Sequence, residues 1–393
     1  MRLKDLYFLL GPEGQNYLAE IAATPIDGGS HLQVADRLRQ QIGPERTHAV
    51  LETGMLRQQA AGKFERASGM YFTRQALQQA SAEVVSTYRQ GRFNKHGFKM
   101  LADLGCGIGG DSLALAAQAA VVGVDLNPIR LAMARENVRL YGHVDRFFPL
   151  QADLMELGPM PVDALFADPG RRTSQGKRIH SLYEYNPPIT FLDKWRIRVP
   201  NQAIKISPGV DYAELPPGAE VEFISVAGEV REAVLWFGAL RTPVSRRATL
   251  LPGGVSLTDE VVGEIPVTRP GEYFYEPDGA IIRAHLVEQL AAKLGASKID
   301  DHIAYLTADR QLLTPFARCY ILEDVLPFQL KRLRQYLRER GIGRVTIKKR
   351  GSPLDPKMLH QQLRLQGDEH RILFLTRVMG EPSVLIGLAH SST

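Results

Sequence analysis

The sequence predicts an α/β protein: a mostly parallel, doubly wound sheet, preceded by a helical region and followed by a small second α/β module. Three observations carry that expectation. From Lys99 onward, short apolar runs alternate with helical stretches, the order that lets helices cover both faces of a parallel sheet. A glycine-rich turn, Gly105 to Gly110, follows the first of those runs. Near the C-terminus, a further pattern of strands and helices carries a concentration of basic residues.

Residues 1–95 are expected to form a helical domain. QVADRLRQQI, HAVLETGMLRQQ and TRQALQQASAEVVSTYR place apolar residues at three- and four-residue intervals among good helix formers. Residues 96–240 are expected to hold the main sheet. There MLADLG, VVGVD, FFPLQAD, ALFADP and AIKISPG read as strand ends, with LALAAQAA and IRLAMARENVRLYG as helices between them. EVEFISVAGEVREAVLWFGAL reads as two strands joined around Gly228, an antiparallel pair closing the sheet. Residues 241–300, rich in proline, glycine and threonine, read as a junction with short extended pieces, followed by one helix from Ile281 to Leu294. Residues 301–393 read as a compact α/β module, strand CYILEDV, helix PFQLKRLRQYLRER, strand RVTIKKR, helix DPKMLHQQLRL, then strands RILFLTRV and SVLIGLA. Asp355 and Pro356 supply an N-cap and a first helical residue.

Composition excludes several classes. With 393 residues, 44% hydrophobic, the chain can bury the cores of two or three domains. Two cysteines, Cys106 and Cys319, rule out a disulfide scaffold and an all-cysteine metal site within one chain, and a reducing cytoplasmic compartment is expected. The ten histidines show no compact ligand pattern and no H-E-x-x-H, so no metal is expected. The N-terminus lacks the apolar core of a signal peptide, and no run approaches the ~18 apolar residues of a membrane span, so a soluble protein is expected. The formal charge is +5, yet residues 301–393 carry 15 Lys and Arg against nine Asp and Glu. The basic bias is therefore local, as on a polyanion-facing module, although charge alone also serves solubility.

The strongest chemical signal is D-L-G-C-G-I-G-G-D, from Asp103 to Asp111. Glycines at the end of a strand permit a tight turn and close approach of a ligand. Gly105, Gly107 and Gly110 also satisfy the dinucleotide-binding spacing G-x-G-x-x-G, so this loop alone leaves the cofactor open. Asp125, twenty residues beyond Gly105, suits the ribose of a dinucleotide or of another adenosyl cofactor equally well.

Four features in order, DLGCGIGG, Asp125, Asp153 in LQAD, and Asp168-Pro169 ending the fourth strand, resemble class I S-adenosylmethionine (SAM) dependent methyltransferases. The resemblance implies a Rossmann-like sheet and SAM as cofactor. It places Asp103, Gly105, Cys106, Gly107, Gly109 and Gly110 against the methionine moiety, Asp125 at the ribose, and Asp153 at the adenine with Leu154 packed nearby, and adds Leu126 to the cofactor-binding residues. Asp153 reads alternatively as a helix N-cap, and Cys106 as a small packing residue. Methyl transfer asks the protein mainly to align the acceptor with the methyl and to receive its proton. Asp168 and Pro169 are the candidates, with a structural cap or an amine anchor as the alternative for Asp168.

Base-methylating enzymes with an exocyclic amine target commonly carry an aromatic residue after such a motif, whereas Asp168-Pro169 is followed by Gly170, Arg171 and Arg172. Arg171 and Arg172 are candidates for holding phosphate or for pairing with nearby acids. Tyr183 or Tyr185 could supply a stacking face, and Asn186-Pro187-Pro188-Ile189 reads as a loop.

VVGVDLNPIRLAMARENVRLYG also resembles the trimethylguanosine-synthase branch of RNA methyltransferases. The order of helical region, D-P-x-R-R at Asp168 to Arg172, K-x-x-P-G at Lys205 to Gly209, and LPFQLKRLRQYLRERGIGRVTIKKRG is similar to a bacterial methyltransferase family with a C-terminal THUMP-like domain. THUMP domains help RNA-modifying enzymes hold structured RNA. The resemblance therefore implies RNA as partner, with Arg334, Arg338, Lys348, Lys349 and Arg350 as candidate phosphate contacts among nine basic residues in positions 331–350. A solvated basic face is the plainer alternative. The expected function is methyl transfer from SAM to structured RNA, at a nucleobase of rRNA or tRNA. The alternatives are DNA or protein methylation, and a noncatalytic RNA-binding protein that retains SAM.

Overall fold

The computed structural model describes the chain except residues 24–29, 172–176, 178, 180 and 390–393. It divides into two compact units, Met1–Glu220 with Ala233–Thr242, and Val221–Glu232 with Pro243–Thr393.

The first unit begins with helices α1 (Leu3–Leu10), α2 (Pro12–Ala23), α3 (Ser30–Ala60), α4 (Arg74–Gln79) and α5 (Glu83–Asn94). α3 joins two of the expected helices across a kink at Gly43, where φ is 78° and Pro44 follows. Thr73 starts α4 by accepting a hydrogen bond from the Ala76 amide at 3.2 Å. The strands and helices that follow along the chain are β1 (Met100–Leu104), α6 (Ser112–Leu115), β2 (Ala120–Asp125), α7 (Pro128–Leu140), β3 (Phe147–Gln151), β4 (Ala164–Ala167), α8 (Ile189–Arg196), β5 (Gln202–Ile206), β6 (Glu220–Val226) and β7 (Glu229–Trp236), of which nearly all of β6 and the first half of β7 belong to the second unit.

Strands β3, β2, β1, β4 and β5 lie side by side in that order, all parallel. β4 and β5 are buried throughout, because helices cover both faces and the strands need not alternate polar with apolar residues. The second half of β7 runs antiparallel to β5, with Ala203 opposite Trp236. The strand order reverses at β1, between β2 and β4. There the loops leaving β1 and β4 diverge and open a crevice at the C-terminal ends of the strands.

The helical region expected as a separate domain over 1–95 shares one unit with this sheet. Buried Asn137 on α7 is the reason in miniature. Its Oδ1 accepts from the Tyr71 amide at 2.8 Å, and its Nδ2 donates to Tyr71 O at 3.1 Å and to Ile108 O at 2.9 Å. One amide thus ties the helical region to the glycine-rich loop.

In the second unit, β6 pairs parallel with β8 (Arg246–Leu251), which pairs antiparallel with β9 (Val255–Thr258). Next come β10 (Tyr273–Pro277), α9 (Gly279–Arg283), α10 (Val287–Leu294), β11 (Ser297–Lys298), β12 (Leu306–Ala308), β13 (Ala317–Pro327), α11 (Leu330–Glu339), β14 (Ile342–Lys349), α12 (Pro356–Leu363), β15 (Glu369–Val378) and β16 (Glu381–Ala389). Seven strands form one sheet in the order β11-β12-β10-β13-β16-β15-β14.

The expected junction, 241–300, is folded structure, which moves the start of the C-terminal module well before residue 301. β10 lies inside the seven-stranded sheet, and its Phe274 joins Tyr305, Tyr320 and Phe374 in an aromatic cluster with centroids 4.7–6.4 Å apart. Proline and glycine there punctuate short strands. The single helix expected at Ile281 to Leu294 is two, separated where His285 takes φ 54°. Leu333, Tyr336 and Leu337 form the buried stripe of α11. Among the described residues, no helix is long and apolar enough to cross a membrane.

Candidate active site

A cavity of about 520 Å³ opens at the crevice of the first unit. Its walls are the loop Gly105 to Ile108, Asp125 with Leu126, Asp153 with Leu154, Asp168 to Arg171, and the segment Gln78 to Ala80 before α5. The Gly105 and Cys106 amides donate to Val124 O at 2.9 and 3.0 Å, which ties the loop to β2. Gly105 has φ 82°, and a Cβ on it would stand 3.1 Å from the Asp168 carbonyl oxygen. Glycine alone lets the β1 and β4 loops approach this closely. Gly107 has φ 56° with no atom of the described residues within 4 Å of such a Cβ, and it faces the cavity. Gly109 instead packs on Ala134 of α7. Cys106 is buried, and burial pushes its thiol well above the usual range, which makes it a packing group and a poor nucleophile.

Four acids surround this loop. Asp125 accepts from the Gly107 amide at 3.0 Å through Oδ2 and from the Asn127 amide at 2.8 Å through Oδ1. Asp153 is exposed and accepts from the Met155 amide at 2.9 Å in a turn, where no helix begins. Asp103 is buried beneath the loop. Its Oδ2 accepts from Ser112 Oγ at 2.5 Å, while its Oδ1 has no hydrogen-bond partner among the described residues. Burial is the main reason its carboxyl is pushed up to about 7, with Asp168 and Asp125 adding repulsion and Ser112 and Arg89 opposing. Asp111 is ion-paired to Arg89, a buried cation on α5 whose guanidinium lies 4.3 Å over the Phe166 ring.

Asp168 stands just beyond β4, with about a fifth of its side chain exposed. Its Oδ2 accepts from Lys205 Nζ at 2.8 Å. Lys205 is buried on β5 and also donates to Ser81 Oγ at 3.1 Å. Sequence reading named neither Lys205 nor Arg89 as part of a site. The signal for Arg89 was present: it shares a helical face with Val85 and Phe93, both buried, and a charge on an apolar face needs a buried partner.

The acceptor side departs from expectation in several places. Asn186 and Pro187, read as a loop, line the cavity, and Asn186 exchanges backbone hydrogen bonds with Gly170 at 2.7 and 3.0 Å. Tyr185 is buried, its hydroxyl accepting from the Ser207 amide at 3.2 Å, so its ring is no open stacking face. Tyr183 is 55% exposed and does not line the cavity. Arg171 lines it, and Arg172 lies outside the described residues.

The basic residues of the second unit do not share one face. Lys348 is half-buried, ion-paired to Glu276 and donating to the Tyr320 hydroxyl at 2.9 Å. Arg350 donates to Ala304 O at 3.0 Å and lies over the Tyr305 ring. Arg334 donates to Gln362 O at 2.6 Å, and Lys349 to Leu354 O at 3.2 Å. Lys349 and Arg338 are exposed. No group of three or more potential metal ligands occurs among the described residues.

The chemistry of the cavity fits a cofactor with a cationic end and a diol. Asp103 Oδ1, beneath the loop, is an acceptor with no partner among the described residues, and Gly107 faces the cavity with open space where a Cβ would stand. A SAM-dependent methyltransferase of Mycobacterium tuberculosis, described as uncharacterized, is 36% identical to this chain over 357 residues, covering 87% of this chain and 95% of that protein, in each of two strains. The chain belongs to this family of SAM-dependent methyltransferases. SAM is accordingly the cofactor of the methyltransferase. Family profiles described as RNA cap guanine-N2 methyltransferase and THUMP domain-like match residues 98–192 and 317–388, and a domain of unknown function matches residues 2–60. The fold of the methyltransferase is shared with the crystal structure of a candidate methyltransferase from Porphyromonas gingivalis, with TM-score 0.72 and 21% identity, covering 94% of this chain and all of that one.

Proposed function

We propose that the methyltransferase modifies RNA, at a nitrogen of a nucleobase. The observation that carries the choice of RNA is the joining, in one chain, of a segment similar to RNA cap guanine-N2 methyltransferases and a segment similar to THUMP domains. The basic character of residues 301–393 supports it.

In this reading Asp103 and the loop from Gly105 to Gly110 hold the methionine end of SAM, Asp125 with Leu126 the ribose, and Asp153 with Leu154 the adenine. SAM supplies a methyl group activated by its sulfonium. The chain's own task is placement, since alignment of donor and acceptor accounts for much of the rate available to a transfer of this kind. Asp168 accepts a hydrogen bond from the acceptor N–H, turning the nitrogen toward the methyl. As the new N–C bond forms, that proton leaves toward the carboxylate. Pro169 is buried and fixes the chain behind Asp168, Asn186 and Arg171 border the acceptor, and exposed Arg338 and Lys349 meet phosphate.

The test is transfer of labelled methyl from SAM to total cellular RNA, with DNA and protein fractions run in parallel. Label in a discrete RNA species is expected. Label in DNA or protein alone would move the target to that class, and binding of SAM without transfer to any fraction would point to a noncatalytic RNA-binding protein.

A further inference from the structure

Strand register brings a buried lysine to the carboxylate at the cavity. Leu165, Phe166 and Ala167 of β4 stand beside Gln202, Ala203 and Ile204 of β5, so the next residues on each strand, Asp168 and Lys205, are neighbours at the same level. Lys205 is 4% exposed. Its ammonium has three proton donors, and the structure shows three acceptors for it: Asp168 Oδ2 at 2.8 Å, Ser81 Oγ at 3.1 Å and Gln79 O at 3.5 Å. Gln79 belongs to the segment that forms another wall of the cavity, and Ser81 follows directly after it. A lysine is buried this completely only when paired, because desolvation of its charge is costly. Here the pairing leaves Asp168 Oδ1 without a hydrogen bond among the described residues, on a side chain that lines the cavity.

We propose that Lys205 is a positioning residue for methyl transfer. Its ammonium occupies one carboxylate oxygen of Asp168 and holds the group in one orientation, so that the other oxygen is presented to the acceptor N–H. Ser81 and Gln79 hold that charge in place, which couples the segment before α5 to the reacting end of the cavity.

This rests on the assignment of Asp168 as the acceptor contact, and the experiment separates the two. Asp-selective ¹³C labelling of the full-length protein follows each carboxyl through a pH titration, and D168N identifies the Asp168 signal. In K205M that signal is expected to show at least a ~10-fold higher proton affinity, as expected when a close opposite charge is removed. A titration unchanged from wild type overturns the proposal. S81A, which keeps the ion pair and removes one of its anchors, is expected to shift the signal in the same direction by less. It decides the matter if K205M does not fold, no shift again overturning the proposal.

Methyl transfer from labelled SAM is then measured for wild type, D168N, K205M and the double variant, using whichever of the RNA, DNA or protein fractions accepts label. SAM affinity by calorimetry is expected to stay within about twofold. K205M is expected to lower kcat and move the acid limb of its pH profile upward, with no further loss when added to D168N. Independent, multiplying losses would mark Lys205 as merely structural and overturn the proposal. Full activity in D168N would instead remove the assignment of Asp168. If no fraction accepts label, the titration alone decides for or against Lys205.

Discussion

Asp103 joins a carboxyl group to nearly complete burial, and the result is a carboxyl pushed up to about 7. In the unfolded chain the same group ionises near ~3.9. Between those values the folded protein holds a proton that the unfolded chain has released, so stability falls as the pH rises through the window, by up to about 4 kcal/mol. Thermal unfolding of the cofactor-free protein from pH 4.5 to 7.5 is expected to show this slope relative to D103N, which lacks the group; parallel curves would remove it. A cationic ligand beside Asp103 favours its ionised form. SAM binding at about pH 6.5 is therefore expected to release close to one proton in the wild type and none in D103N, read by calorimetry in two buffers of different ionisation enthalpy. At Asp125, substitution by alanine removes the carboxylate that Gly107 and Asn127 orient. SAM affinity is expected to fall by about tenfold to a hundredfold, corresponding to a hydrogen-bonded charged contact of ~1.5–3 kcal/mol, whereas unchanged affinity would remove the ribose assignment.

Elements decide how closely these residues can meet. The β1 loop and the start of the β4 loop touch through Gly105, and G105A forces a Cβ toward the Asp168 carbonyl while leaving a positive φ that alanine resists. Its expected outcome is loss of both SAM binding and transfer, where D168A loses transfer but keeps most cofactor affinity. Calorimetry and the labelled-methyl assay on both variants distinguish the two. α5 contributes through Arg89, which reaches Asp111 at the far end of the loop. Removing one partner of a buried ion pair leaves the other charge unpaired, so R89M is expected to cost about 3 kcal/mol or more, read by denaturant unfolding. Lys348 on β14 shows a charge whose contacts a strand pattern does not reveal. A strand reading gives alternate residues to solvent, yet Glu276 on β10 and Tyr320 on β13 make an internal seat for the Lys348 ammonium.

The two units distribute the work of the methyltransferase. The first holds the glycine-rich loop, the four acids and the buried cations. The second holds the THUMP-like segment, where Arg338, Arg332 and Lys349 are exposed while Lys348 and Arg350 are engaged internally. If RNA is the partner, neutralising Arg332, Arg338 and Lys349 together is expected to weaken RNA binding and to lower the slope of log affinity against log salt by about 2 to 3, one unit or slightly less for each phosphate that is no longer neutralised. A filter-binding titration across salt concentrations reads both. An unchanged slope would leave those residues as a solvated face.

The sequence by itself determined the parts that depend on local order. Strand and helix alternation is a chain-level pattern, so the parallel sheet, the antiparallel return at Gly228 and the α11–β14–α12–β15–β16 succession were legible, as were the glycine loop and the acids that end β1, β2 and β4. Tertiary structure alone decided what depends on residues far apart in sequence. Lys205 meets Asp168 across 37 positions and Ser81 across 124, through β-register and through a helix connection that no local pattern encodes. The 241–300 stretch reads as a junction for the same reason: proline and glycine report turns, but whether the residues between them pair depends on β13 and β12 arriving beside β10. Charge is the plainest case, since a lysine or arginine reads alike in a sequence whether it meets water, phosphate or a buried carboxylate, and only the fold supplies the partner.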